Sequence, residues 1–372
     1  MKMGNFNPLQ IYNHIKDYYI LPLHDKDILN DFNYSFKEYM QKYYSKYNER
    51  VDNPEIKQIG LINVFNDCYI ISFLQILIHT PNFLNILKKI KSYREIDEII
   101  KYLILVSEYP YNIQYLFNLK KSFGKINPEY SKYQANDSQE FGIDLINYII
   151  NQLKYPVDEN DEEDDFRNFE FINNDSKKII FEKYFSGQKK MNELENLFLF
   201  NETQIFCSLK NKKISISPNL HIELTLQKTM NNNLTIENLL YDKYNMEIDN
   251  FDKPNQILIK SQLVTLPKIL IITINRLLIG EKINNSILEF REILDLAQFI
   301  DKDLFNDQNK NTKYHLYAIN KCIHQKKNNH YLCSIKINNK WYLFNDKKVD
   351  NIKYPDIIAL DSVVGLFYIR DN

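Results

Sequence analysis

Apolar residues recur mainly at helical spacing through the first half of this chain and mainly alternate at strand spacing through the second, so helix and strand do not alternate one by one. Helices followed by strands favour an α+β fold over a doubly wound α/β sheet. Such a division lets a side chain on a helix face one on a sheet across a cleft. From Gly60 to Tyr155 the pattern is helical, punctuated by Pro81, Pro110 and Pro128. Short alternating runs from Ile179 to Leu226 predict antiparallel strands, and a helix is predicted over Ile236 to Tyr244. Further strands are predicted over Gln256 to Val264, Ile269 to Asn275, Tyr314 to Ile323, Tyr331 to Ile337 and Trp341 to Phe344.

At 372 residues the chain can bury a sizeable core, as one large domain or two smaller ones. A formal net charge of -1 excludes general attraction to nucleic acid or an acidic membrane as the organising feature. The dense acidic run Asp158 to Asp165 is expected to be a solvated loop. Residues 1 to 56 are expected to form a helical N-terminal extension, with Ile11 and Ile15 at helical spacing and a second amphipathic stretch over Ile28 to Tyr47.

Four cysteines, Cys68, Cys207, Cys322 and Cys333, contain no C-x-x-C pair, so a zinc ribbon has no ligands. Sparse cysteine in a chain this long suits a reducing compartment. The start lacks the apolar core of a signal peptide, and the longest apolar stretch, Ile269 to Ile279, is broken by Asn275 and Arg276. The expectation is a soluble intracellular protein, cytoplasmic or nuclear, with no membrane insertion, nucleic acid, metal or cofactor; the oligomeric state is open. Only 7 residues are glycine, and asparagine is expected to fill some positions of positive φ.

The most informative segment runs from Gly60 to Gln75. Ile70, Leu74, Leu77 and Ile78 mark one helical face, with Pro81 after its end and Asn66 and Asp67 as candidate N-caps. Cys68 then falls in the first helical turn, where unpaired N–H groups and the dipole favour a thiolate. Asp67 works against that charge, so a basic partner is needed. Asn63, five residues upstream, is placed to aim an N–H at a developing oxyanion.

A second helix start lies at Asp137, with Glu140 three positions on as a capping-box variant, ahead of Leu145, Ile149 and Leu153. Near the C-terminus, His330 to Ile337 alternates, Asn338-Asn339 makes a two-residue turn, and Lys340 to Phe344 alternates back. In that register Ile337 faces Lys340, so His330, Leu332 and Asn345 share one face. His330 and Asn345 become diagonal neighbours within about 7 Å, while Asp346 falls on the opposite face with Tyr331. That count favours Asn345 over Asp346 as orienter of the imidazole. His324 is a rival base in a Lys- and Asn-rich loop.

The first segment resembles the cysteine box of the ubiquitin-specific proteases, roughly G-L-x-N-x-G-N-T-C-Y-x-N-S-x-L-Q. Gly60, Leu61, Asn63, Asn66, Cys68, Tyr69, Ser72, Leu74 and Gln75 match it. The departures are Phe65 for glycine, Asp67 for threonine and Ile71 for asparagine. Tyr133 to Phe141 is similar to the family's Q-x-D-A-Q-E-F element, and His330-Tyr331 with Trp341 to Val349 resembles its G-H-Y and W-x-x-F-[ND]-D-x-x-V elements, with Asn329 in place of glycine. Looser matches are Leu266 to Leu277 and Gly365 to Tyr368.

The resemblance implies a papain-like cysteine protease fold. Residues 57–372 would form the catalytic domain, with a helical thumb at about 57–165, β fingers at about 181–265 and an antiparallel β palm at about 266–370. It implies a deubiquitinating thiol protease acting on ubiquitin or ubiquitinated protein. Cys68 would be nucleophile, His330 base, Asn345 orienter, Asp346 an assistant and Asn63 the oxyanion donor; Asp137, Gln139 and Tyr331 would lie near the substrate tail. Family members with zinc in the fingers carry two C-x-x-C pairs, which this chain lacks. Two rival readings are a ubiquitin-binding scaffold with an impaired site, favoured by Phe65, Asp67 and Ile71, and a protease for another ubiquitin-like modifier.

Overall fold

Every side chain from Cys68 to Leu77 is buried, so the helix carrying them must be covered on all sides. This helix, α1 (Cys68–His79), is the hub of the fold. The structure, a computed structural model, describes residues 58–63, 66–91, 97–110, 112–132, 136–153, 169–171, 174–187, 191–207, 212–226, 234–245, 248–249, 257–278, 282–305, 310–324, 329–355 and 357–371. The predicted N-terminal extension, Phe65 and the acidic run Asp158 to Asp165 lie outside these residues.

The helical half continues with α2 (Phe83–Lys91), α3 (Glu98–Glu108), α4 (Ile113–Ile126) and α5 (Ser138–Leu153). Its punctuation follows local chemistry. Asp97 caps α3 by accepting from the Ile99 amide at 2.7 Å, and Asn112 caps α4 by accepting from the Gln114 amide at 3.1 Å. Pro81 and Pro110 stand just past the ends of α1 and α3. α5 packs close against α1 because Gly142 has no side chain; a Cβ there would lie 2.1 Å from the Phe73 ring.

After β1 (Phe169–Phe171) come two helices, α6 (Asn174–Gly187) and α7 (Glu193–Phe198), where alternation from Ile179 predicts strands. The expectation is corrected here for two reasons. Lys177, Phe181 and Tyr184 are spaced to share one buried helical face, which outweighs the local alternation. Asn192 and Glu195 form a reciprocal capping box that starts α7. Strands begin with β2 (Phe200–Cys207), β3 (Lys212–Asn219) and β4 (Ile222–Thr225), followed by α8 (Ile236–Asn245), β5 (Ile248–Asp249) and β6 (Ile257–Leu263). An antiparallel sheet of order β1-β3-β2-β6-β5 results. α6 lies on it through Phe181 and Tyr184, which join Ile214, Ile216, Val264 and Leu304 in a separate apolar cluster. Beside that cluster Lys177 and Asp301 form a buried ion pair.

The remaining strands are β7 (Ile269–Asn275), β8 (Leu277–Leu278), β9 (Lys282–Ile283), β10 (Leu288–Arg291), β11 (Ile293–Asp295), β12 (Lys313–His324), β13 (Asn329–Ile337), β14 (Lys340–Asn345), β15 (Lys348–Ile352), β16 (Ile357–Leu360) and β17 (Val363–Arg370). An eight-stranded sheet runs β15-β14-β13-β12-β17-β7-β4, with β11 beside β12. All its pairs are antiparallel except β4 with β7. One face, through Ala318, Cys333, Ile335, Phe344 and Phe367, packs on the helices around α1. The other, through Ile272, Leu316, Ile319, Leu366 and Tyr368, packs against α8. Two apolar layers on one sheet hold α1 and β13 in fixed relation.

The β13–β14 hairpin has the predicted register, with Ile337 opposite Lys340. Asn338 and Asn339 turn it at φ 49° and 61°, the left-handed pair that suits strand twist. Among the described residues no single helix is long and apolar enough to cross a membrane.

Candidate active site

The chain enters α1 through a tight reversal. Asn66 takes φ 58°, a left-handed conformation that asparagine tolerates. Asp67 occupies the N-cap position, but its carboxylate makes no capping bond. It turns instead to the Lys120 ammonium on α4, and both side chains are buried. Asn63 secures the entry in its place: its Oδ1 accepts from the Asp67 amide at 2.9 Å. Gln75 Nε2 donates to the Ile59 carbonyl at 2.9 Å, fastening the incoming segment along α1. Gly60 passes so close to the β14–β15 turn that a Cβ would sit 2.3 Å from the Asp346 carbonyl oxygen. These contacts deliver Cys68, 3% exposed, at the first position of α1.

His330, the second residue of β13, faces that sulfur. Its Nε2–H donates to Asn345 Oδ1 at 2.7 Å, which leaves Nδ1 as the second ring nitrogen. The bond to Cys68 is the main reason the imidazole pKa is pushed up to about 9. Burial opposes the shift, and Asn345 and Asp346 reinforce it. The arrangement favours the protonated imidazolium form of His330 beside Cys68.

Asp346 departs from the expected alternation. β14 ends at Asn345, and Asp346 opens the two-residue turn into β15 at φ 50° instead of sharing a face with Tyr331. Its Oδ2 accepts from Asn63 Nδ2 at 3.2 Å. Its Oδ1 is buried with no hydrogen-bond partner among the described residues. Burial raises its carboxyl pKa, against the lowering pull of Asn63 and His330.

Asp137 caps α5, accepting from the Gln139 and Glu140 amides at 2.7 and 3.1 Å. Tyr331 lies beside it, its hydroxyl 3.5 Å from Asp137 Oδ2. Gln139 is 8% exposed, and its buried Oε1 has no partner among the described residues. His324 closes β12, with Nδ1 3.0 Å from Asn329 Oδ1 and 3.7 Å from Cys322 Sγ, so its partners are not those of His330. Asn329, which stands in place of the family's glycine, is a strand residue opposite His324 and does not take positive φ. Ile71 is buried in the core around α1.

Other residues escape a reading of the sequence. Ser138 Oγ donates to the Tyr69 carbonyl at 2.7 Å and accepts from Asn320 Nδ2 at 2.9 Å, tying α1, α5 and β12 together behind the site. Lys120 is the basic partner that Asp67 requires, but one lysine in an amphipathic helix carries no local signal of that task. Among the described residues no group of three His, Cys, Asp or Glu is placed to hold a metal ion.

The fold has solved counterparts. A SAGA Ubp8/Sgf11/Sus1/Sgf73 DUB module bound to ubiquitin aldehyde matches with a TM-score of 0.63 at 19% identity, covering 94% of this chain and 77% of that one. The Ubp8-Sgf11-Sgf73-Sus1 SAGA DUB module matches with a TM-score of 0.63 at 21% identity, covering 94% and 76%. These likenesses share the papain-like α+β architecture. The sequence model described as ubiquitin carboxyl-terminal hydrolase matches residues 59–368, a span that holds every residue of the site above. The chain belongs to the ubiquitin carboxyl-terminal hydrolase family, the cysteine-type deubiquitinating enzymes.

Proposed function

We propose that this chain hydrolyses the isopeptide or peptide bond after the C-terminal glycine of ubiquitin, with Cys68, His330 and Asn345 as its triad. The observation that carries the reading is His330 held by Asn345 Oδ1, 2.7 Å from Nε2, with an imidazole pKa that Cys68 does most to raise. In this reading the helices before residue 165 are the thumb, the five-stranded sheet with α6 belongs to the fingers, and the eight-stranded sheet is the palm.

The thiolate of Cys68 attacks the glycine carbonyl carbon, forming a C–S bond while the carbonyl electron pair moves to oxygen. Asn63 uses one Nδ2 proton on Asp346 and keeps the second for that oxyanion, beside the first N–H groups of α1. Collapse breaks the C–N bond, and the His330 imidazolium gives its proton to the departing amine. Water then attacks the thioester carbonyl while His330 takes a proton from it, the C–S bond breaks to return the Cys68 thiolate beside the imidazolium, and ubiquitin leaves with a free carboxylate. Asn345 holds the imidazole in one tautomer throughout. Asp137, Gln139 and Tyr331 line the approach of the extended ubiquitin tail, with Gln139 Oε1 a free acceptor for one of its amides. The buried free thiols of Cys68, Cys322 and Cys333 suit work in the cytoplasm or nucleus.

A ubiquitin probe with a thiol-reactive C-terminus tests the proposal. Covalent labelling that disappears in Cys68→Ala supports it. Tight binding without labelling would identify a scaffold, and preferential labelling by another ubiquitin-like probe would reassign the substrate.

A further inference from the structure

Asp67 adjoins the nucleophile in sequence and is 6% exposed, so the carboxylate cannot be left to solvent. A buried anion beside Cys68 opposes formation of the thiolate. Lys120 reaches it from α4, a helix that contributes nothing else to the reacting groups, and the two side chains are 8% and 5% exposed. Around Asp67 the charged and titratable groups are Lys120, Asp346 and Tyr69; around Cys68 they are His330, Tyr69 and Cys322. Of these, Lys120 is the cation seated on Asp67, while His330 is committed to the sulfur and Asn345.

We propose that Lys120 is a positioning residue for the nucleophile: its ammonium cancels the Asp67 charge at the start of α1, so that His330 and the helix N-terminus set the ionisation of Cys68. The inference rests on the reading of Cys68 as nucleophile. It assigns a task to a charge pair rather than to either residue alone, so removing one member shifts the thiol in one direction, removing the other shifts it oppositely, and removing both leaves it in place. Burial leaves the Asp67 pKa raised overall, and Lys120 is the group that pulls it back towards the charged form.

The test is the pH dependence of Cys68 alkylation by iodoacetamide in the full chain, read by mass spectrometry on the Cys68 peptide to separate it from the other thiols. In Lys120→Met the acid limb moves up by about one pH unit, and in Asp67→Asn it moves down by a similar amount. In the double variant Asp67→Asn with Lys120→Met it returns to the wild-type position, and Lys120→Arg holds it there. Should Lys120→Met not fold, the downward shift in Asp67→Asn decides alone. Superimposed profiles in wild type and Asp67→Asn, or a double variant displaced as far as Lys120→Met, overturn the proposal. An error in the nucleophile assignment shows differently, as ubiquitin hydrolysis that survives Cys68→Ala.

Discussion

His330 Nε2 and Asn345 Oδ1 meet at 2.7 Å because the two residues sit on adjoining strands whose register a two-residue asparagine turn fixes. An amide oxygen here only has to accept a proton already on Nε2, and a carboxylate can do the same. Asn345→Asp is therefore expected to keep kcat within about tenfold of wild type, whereas Asn345→Ala loses about 10² or more. Steady-state hydrolysis of a fluorogenic ubiquitin C-terminal substrate measures both. Equal losses in the two variants would remove Asn345 from the triad.

The His330 imidazole carries its proton to about pH 9, well above its ordinary value of 6.5, chiefly through Cys68. Because the folded pKa is the higher one, the stabilising interaction is complete below the ordinary value and is lost as pH rises through about 9. kcat/KM should fall on the same basic limb, since the neutral ring has no proton for the leaving amine. In Cys68→Ala the His330 titration, followed by NMR, should move down towards 6.5. An imidazole that titrates identically in both proteins contradicts the pairing.

Asn63 serves two structural bonds and the proposed oxyanion at once. Asn63→Ala removes the acceptor of the Asp67 amide and the donor to Asp346. The expected loss is about 10²–10³ in kcat with KM little changed, because the oxyanion exists only after attack. A defect confined to KM would place Asn63 in ground-state binding instead.

Much of this site is legible in the sequence because its parts obey short-range rules. The hairpin count brings His330 to Asn345 through nothing more than a two-residue turn and strand alternation. The helix start at Cys68 follows from the apolar face beginning at Ile70. What the sequence leaves hidden depends on distant partners. Asp67 looks like a cap until Lys120, 53 residues away, takes its carboxylate. Asp346 looks like a strand residue until the turn to Lys348 lifts it out of the alternation. The strands predicted from Ile179 fail for the opposite reason: Phe181 and Tyr184 gain a buried helical face only once the sheet beneath them exists.

That same sheet offers a stability test away from the chemistry. Lys177→Met leaves the Asp301 carboxylate buried without its cation, and should cost about 3–5 kcal/mol. Thermal denaturation should show the loss, and Lys177→Met combined with Asp301→Leu should recover much of it. An unchanged melting temperature in the single variant would mean that the pair contributes nothing to the fold.

Asparagine and glycine divide their labour in this chain. Among the described residues, the left-handed ones other than glycine are Asn66, Asn82, Asn338, Asn339 and Asp346, while none of Gly60, Gly124, Gly142 and Gly365 adopts positive φ. Gly60, Gly124 and Gly142 are kept for a different shortage, that of room, since a Cβ at each would collide with a neighbour. Torsion is thus delegated to a residue that carries a side chain, and proximity to one that carries none. Exchange between the two roles should run one way only: Asn66 can become glycine with its backbone angle intact, but Gly60 cannot become asparagine without pushing the Asp346 turn, and with it the neighbouring Asn345, away from the imidazole.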